Sequence, residues 1–333
     1  MLDVFNSDAF TLTSMTAAIN NQPFTPGFLG RSGLFEERGV NTLSVNIEEK
    51  NGVLTLLQTK PRGGPREGRE RQRRKLRPFA IPHIPAYEYI LADEVQGVRE
   101  FGTEDQLETI ESVRDGRLAT LSNDMDATLE FHRTGAVKGI IYDADGETVL
   151  YNLFDEFEID QPAEVDFDLD NANPASGVLR KKIGQTLRTG AQALGNLTPT
   201  SWMAICSDTF FDDLIAHPEV RGTYQYQQGA AQREGYVWTQ VNYGGVTWVN
   251  LRNAATYSVA TADKCHLFPI GIPGLFITRF GPANYLETVN TVGLPRYAKA
   301  APDKFNTQLE IEAQMNPLNL CTRPGCLIQG KRT

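Results

Sequence analysis

Residues 104–133 set the scale of this chain. Leu107, Ile110, Leu118, Leu121, Met125 and Leu129 recur at helical spacing and form one apolar stripe, broken only around Arg114. Thr103 is a good N-cap, Gln106 completes a capping box, and Glu104 and Asp105 suit the positive end of the helix dipole. Gly135 is placed to stop the helix, with His132 and Arg133 in its last turn. About 30 residues at ~1.5 Å each make a rod of roughly 45 Å, where a globular helix averages ~11–12 residues. Such a rod acts as a strut. Gly116 lies inside it and is expected to weaken or bend it locally.

What precedes the strut is poorly suited to a core of its own. Residues 1–45 scatter apolar side chains among Asn, Thr, Ser, Gly and Pro, as in NNQPFTPGFLGRSGLF, and read as an extended arm that gains order by lying against something else. Leu43, Val45 and Ile47 then alternate, and Asn51-Gly52 is a hairpin turn signal before Val53 and Leu54–Leu57. The Gly/Pro/Arg stretch KPRGGPREGRERQRRKLRP follows, then a second extended run whose three prolines forbid helix and confine any strand to a sheet edge. The whole of 46–100 reads as a two-stranded excursion with a charged tip, marginal if left alone in water.

After the strut, a hairpin is expected from Val137–Tyr142 and Thr148–Tyr151 across Asp143–Glu147. The alternating runs FDEFEID and EVDFDLDN read as half-buried strands. Residues 178–194 give a second amphipathic helix on Leu179, Ile183, Leu187 and Leu194. Trp202–Cys206 is a short buried strand, and Ser207 caps a helix that ends before Pro218. The remainder is β-rich and closes with a strand alternating at Leu309, Ile311, Ala313 and Met315. The fold class is α+β.

Charge is polarised. Nine basic residues between Lys60 and Arg77 face only Glu67 and Glu70, so this segment carries +7 of a net −9 and leaves −16 on the rest. No aromatic residue interleaves them, which disfavours a base-stacking surface and leaves two readings, a solvated charged tip and docking on an acidic neighbour. Eight acids against three bases in 104–135, and eight acids with no base in 155–170, supply such surfaces. The candidate inter-subunit residues are Arg66, Arg69, Arg71, Arg73, Arg74, Lys75 and Arg77, and Gly116 is the candidate bend of the long helix.

Catalytic, cofactor and metal sites are not expected. GCLIQGKR at 325–332 approaches a phosphate-binding loop but lacks the Ser/Thr ligand and a following helix. Asp143, Asp145 and Glu147 fit an acidic turn better than a calcium loop. His83, His132, His217 and His266 have no zinc spacing. Cys206, Cys265, Cys321 and Cys326 have none either, and are expected to be reduced thiols. No apolar run reaches the roughly 20 residues of a membrane span, and MLDVFNSDAF has no signal-peptide pattern, so the chain is expected to stay in the cytoplasm that made it.

Several long, oddly composed strings resemble the lambda-type major capsid proteins of tailed phages, the phage capsid E family. They are LTSMTAAINNQPFTPGFLGRSGLFEERGV, PRGGPREGRERQRRKLRPFAIPHIP, ILADEVQGVREFG, FPIGIPGLFITRFGPANYLETVNTVGLPRYAKAA and QMNPLNLCTRPGCLI. The resemblance implies the shell fold of tailed-phage and herpesvirus capsids. It assigns an N-terminal arm to 1–45, an extended loop to 46–100 laid over an adjacent subunit, and a peripheral domain to 101–173 with its spine helix at 104–135. An axial domain at 174–300 and a C-terminal strand at 301–333 returning to the peripheral domain complete the set. It implies a non-enzymatic head protein, assembled in the host cytoplasm into pentamers and hexamers around double-stranded DNA that it touches only non-specifically. A separate scaffold protein, a portal and a decoration protein at three-fold positions are the implied partners. An encapsulin-like protein compartment and a phage maturation protease are the rival readings.

Overall fold

The computed structural model describes residues 11–21, 27–50, 74–95, 110–171, 173–226, 240–251, 263–305 and 307–333. The Asn51-Gly52 turn, the basic residues of 60–73 and the capping box at Thr103–Gln106 lie outside them. The described elements begin with α1 (Leu12–Asn21), α2 (Phe28–Arg31), β1 (Glu36–Gly39), β2 (Ser44–Lys50), β3 (Arg74–Ala80), β4 (Ile84–Leu91), α3 (Ala92–Val95) and α4 (Ile110–Lys138). There follow β5 (Ile140–Tyr142), β6 (Val149–Asn152), α5 (Leu153–Phe157), β7 (Val165–Asp166), α6 (Val178–Leu194), β8 (Ser201–Cys206), α7 (Asp208–Ala216) and α8 (Pro218–Tyr226). The last are β9 (Gln240–Tyr243), β10 (Val246–Asn250), β11 (Lys264–Ile270), β12 (Phe276–Phe280), β13 (Tyr297–Pro302), β14 (Gln308–Met315), β15 (Pro317–Cys321) and β16 (Ile328–Lys331). The contacts divide the chain into two compact units, each assembled from three separated stretches.

The first unit comprises Met1–Val45, Ala80–Arg133 and Ile277–Leu320. Its core is a helix-on-sheet layer. Leu118, Leu121, Met125 and Leu129 of α4 and Met15 and Ile19 of α1 pack with Leu309, Ile311, Ala313 and Met315 of β14. The sheet order is β13-β14-β4, antiparallel throughout, so β4 is an edge strand, as Pro85 requires. A second sheet of three strands runs β1-β12-β15, with β1 parallel to β12. One part of the arm expectation, that 1–45 is extended with no core residues, is corrected at α1. Residues 12–21 form a helix started by Thr11, whose Oγ1 accepts from Ser14 N at 3.3 Å. Met15 and Ile19, four residues apart, are fully buried in the unit's own core.

The second unit comprises Asn46–Phe79, Thr134–Phe276 and Cys321–Thr333. Its centre is a six-stranded mixed sheet of order β7-β16-β11-β8-β10-β9. Phe210 stacks on Trp248 and Phe167 meets both edge-on, with ring centroids 5.8–5.9 Å apart. The helix expected at 178–194 is α6, burying Leu179, Ile183 and Leu194. Ser207 caps α7 as expected, its Oγ accepting from Phe210 N at 3.3 Å, and Pro218 opens α8.

Two further expectations are corrected. Gly135 does not end the long helix: α4 runs on to Lys138, and Gly139, at φ 88°, stops it in the left-handed region. Gly135 serves close packing instead, since a Cβ there would lie 2.9 Å from Ile140 O and Ile141 Cα. The run FDEFEID is not a strand but α5. Asn152 Oδ1 accepts from Phe154 N at 3.2 Å to start it, and Glu158, at φ 54°, ends it. The hairpin begins later than expected, at Ile140, because 137–138 belong to α4.

Candidate subunit interface

The basic segment is launched from β3, which pairs with β2 in a two-stranded sheet. Alternation along β3 exposes Leu76 and Pro78 and buries Arg77 and Phe79. Phe79 packs its ring 5.6 Å from Tyr151 and 5.8 Å from Phe157. Arg77 therefore departs from the expectation of a contact residue on a charged tip. Its guanidinium donates to the carbonyls of Glu156 and of Phe157, the latter at 2.9 Å, and lies 5.4 Å over the Phe157 ring. Glu158 stands 3.6 Å away. These carbonyls sit at the C-terminal end of α5, where a cation is favoured. Arg77 is an internal anchor that holds β3 to α5. The signal that finds it is the Arg77-x-Phe79 alternation, which a count of charges overlooks. The backbones of Arg74 and Lys75 lie in β3, while Arg66, Arg69, Arg71 and Arg73 fall outside the described residues.

Part of the expected acidic surface is engaged within the chain. In the 155–170 stretch, Glu158 faces Arg77, Glu164 pairs with Lys264 at 3.1 Å, and Asp166 with Lys331 at 3.6 Å. On α4, Asp126 is buried and ion-paired with Arg296. Glu130 is buried too, accepting from Leu29 N at 2.6 Å and Gly30 N at 3.1 Å. Burial pushes the Glu130 carboxyl up, against the pull of those two amides and of Arg133 and Arg31.

Sequence reasoning missed one surface. The face of the β13-β14-β4 sheet turned away from its core exposes Tyr87, Tyr89 and Leu91, with Tyr87 and Tyr89 in edge contact at 5.5 Å. Glu312 is the cross-strand partner of Tyr87, and Glu310 of Tyr89. The prolines before it marked this stretch as an extended run; nothing local to it told that acids of β14 stand opposite.

Burial shifts two histidines and two thiols. Burial drives His266 down to about 3, with Lys138 and Lys264 adding to the effect, and lowers His217. Burial also raises the Cys265 and Cys321 thiols, the reverse of what a nucleophile needs. All four cysteines are free and buried. Gly330 of the phosphate-loop-like stretch lies in β16, where a Cβ would stand 2.7 Å from Cys265 Sγ, so that glycine serves packing. Asp145 closes the turn at 143–147, accepting from Glu147 N and Thr148 N at 2.9 Å each. Among the described residues, no group of three or more His, Cys, Asp or Glu is placed to hold a metal, and no helix is long and apolar enough to cross a membrane.

A long helix over an antiparallel sheet, a mixed sheet packed with shorter helices and a strand pair bearing a basic segment define a capsid-type fold. The fold is shared with the capsid of the cyanophage P-SCSP1u, at TM-score 0.52 and 13% identity over 91% of this chain and 88% of that one. It is shared equally with the capsid of Ralstonia phage GP4, at TM-score 0.52 and 11% identity over 92% and 89%. The family model described as "Phage major capsid protein E" matches residues 11–332. The major capsid protein of Pseudomonas phage KPP10 is 30% identical over 344 residues, covering 97% of both chains. That of Salmonella phage Felix O1 is 25% identical over 362 residues, covering 98% of both. The chain belongs to the phage major capsid protein E family, and its role is that of a structural subunit of the phage head.

Proposed function

We propose that copies of this chain close into an icosahedral shell of pentamers and hexamers around double-stranded DNA, each copy gripping the next through its basic segment. The observation that carries this is the anchored launch. Arg77 and Phe79, which directly follow the positive charges in sequence, fix β3 to α5 and β6. A contact between unlike surfaces of identical copies is heterologous, and such contacts close into rings. Several modest contacts per copy then hold collectively.

In this reading the unit containing α4 is the peripheral domain and the six-stranded unit the axial one. Arg66, Arg69, Arg71, Arg73, Arg74 and Lys75 make the grip. Gly116 is the bend of the spine helix during shell expansion. Support comes from open space around Gly116 and from Thr120 Oγ1, which donates to the Gly116 carbonyl at 3.2 Å, a back-bond that favours bending. The subunit is not an enzyme, and its scaffold, portal and decoration proteins are separate partners met in the host cytoplasm. Relatives from phages favour packaged DNA over the protein cargo of an encapsulin-like compartment. Replacing Arg69, Arg71, Arg73 and Arg74 with Glu is expected to abolish shells while circular dichroism stays that of a folded monomer. Normal shells in negative stain would refute the grip.

A further inference from the structure

The grip needs a receiving surface, and the outer face of the β13-β14-β4 sheet has the right chemistry. Its rows are set by strand register: Tyr87, Glu312 and Lys299 lie side by side, then Tyr89, Glu310 and Ala301. Lys299 is neutralised by Glu287 at 2.7 Å, which leaves the rows acidic. Glu310 is exposed and has no ion-pair partner among the described residues. Leu91 extends the apolar edge, and exposed Asp93 follows it on α3. Tyr87 is 63% exposed and Tyr89 41%, a large aromatic area for the solvent face of a sheet in a water-soluble subunit. Glu310 also presses on the Tyr89 hydroxyl, which is raised first by desolvation and then by that charge.

We infer that this face docks the arginine-rich segment 60–75 of a second copy of the chain, with guanidinium planes stacked on Tyr87 and Tyr89 and paired to Glu310. The inference rests on the assembly reading above and names the surface that reading lacks. Arginine suits such a strip in both respects, since its planar cation stacks on aromatic faces and its fork matches a carboxylate. Other occupants have the wrong sign. The first ten residues hold Asp3 and Asp8 and no base, and a nucleic acid would meet Glu310, Glu312 and Asp93. The acids of 155–170 and of α4 offer less, because no exposed aromatic ring stands among the described residues of either stretch. Docking within one copy would consume both surfaces and leave neither for a neighbour. Docking between copies repeats around a ring.

The test uses full-length chains assembled into particles, each carrying Tyr89→Cys together with one of Arg66→Cys, Arg69→Cys, Arg71→Cys or Arg73→Cys. The four native thiols are buried. After mild oxidation and non-reducing denaturing electrophoresis, at least one pairing is expected to give a ladder of covalent dimers and higher multimers. Intact particles that yield only monomer, or only an internally linked monomer, for every pairing would overturn the inference. Glu310→Cys provides a second anchor if Tyr89→Cys prevents assembly. If both anchors prevent it, charge exchange decides. Glu310→Arg alone is expected to lose shells and Glu310→Arg with Arg69→Glu to regain them, and no recovery overturns the docking. Wild-type particles run in parallel separate the two ideas: wild-type chains that never form shells count against the assembly reading, whereas wild-type shells alongside variant particles that give no ladder sink the docking face alone.

Discussion

The two units of this subunit hold distant segments together by different means. In the unit built on α4, charged and polar side chains make the ties. Arg296 pairs with Asp126 and donates to Ser122 Oγ at 2.6 Å and Ile19 O at 3.2 Å, joining α1, α4 and the residue just before β13 in one buried cluster. Arg133 pairs with Glu37 at 2.5 Å and lies over the Phe35 ring, and Glu130 holds the backbone of α2. In the six-stranded unit the deep ties are aromatic apart from buried Arg77, and other ion pairs, such as Lys331 with Asp166 and Arg332 with Asp213, sit at 31–47% side-chain exposure. Ring stacking tolerates small displacements. A buried ion pair does not, because separation leaves two desolvated charges. The α4 unit is therefore the more exactingly specified of the two, although its apolar layer is ordinary.

The largest effect expected is in the aromatic unit. Trp248→Ala removes a fully buried ring and should cost about 3–5 kcal/mol, read as a lowered denaturant midpoint; a loss under ~1 kcal/mol would break the claim that rings carry this unit. Close behind is Arg296→Met, which strands Asp126 and should also cost about 3–5 kcal/mol. Adding Asp126→Leu should return much of that loss, and a purely additive double variant would show that the charges are not coupled. Lys138 sharpens the contrast from the other side. Burial lowers its ammonium to about 8, so the folded state binds this proton more weakly than the unfolded chain does. Its contribution is therefore most favourable above the unfolded value of 10.5 and is lost as pH falls through about 8. Lys138→Met should stabilise the chain by ~1–3 kcal/mol at pH 7 and by little above pH ~11. A gain independent of pH would contradict this account. The smallest effect is Ser207→Ala, which removes the α7 cap at about 1 kcal/mol and should change only thermal stability.

Elements whose instructions are local were readable from sequence. Ser207 with its following apolar residues, the 178–194 helix and the alternation of 309–315 each carry their signal within a few residues. The misreadings share a cause. FDEFEID alternates like a strand, yet the side chain of Asn152 and the left-handed backbone at Glu158 make it one short helix. Gly135 resembles a stop, yet its role is set by β5, which packs against it. Met15 and Ile19 looked unsupported because their partners, among them Ala298 and Leu309, lie almost 300 residues away. At the interface, Arg77 was indistinguishable from the arginines before it until strand alternation gave it an inner side. The acidic strip beside Tyr87 and Tyr89 existed only once β14 was paired with β4.

The position of β16 has a temporal consequence. It stands second in the six-stranded sheet, parallel to β7 at 165–166 and antiparallel to β11 at 264–267, so a ribosome must deliver residue 331 before that sheet can close. Pairings across such sequence separations form slowly. A half-translated copy thus lacks a finished wall, and lattice growth by immature molecules is disfavoured by the order of synthesis itself.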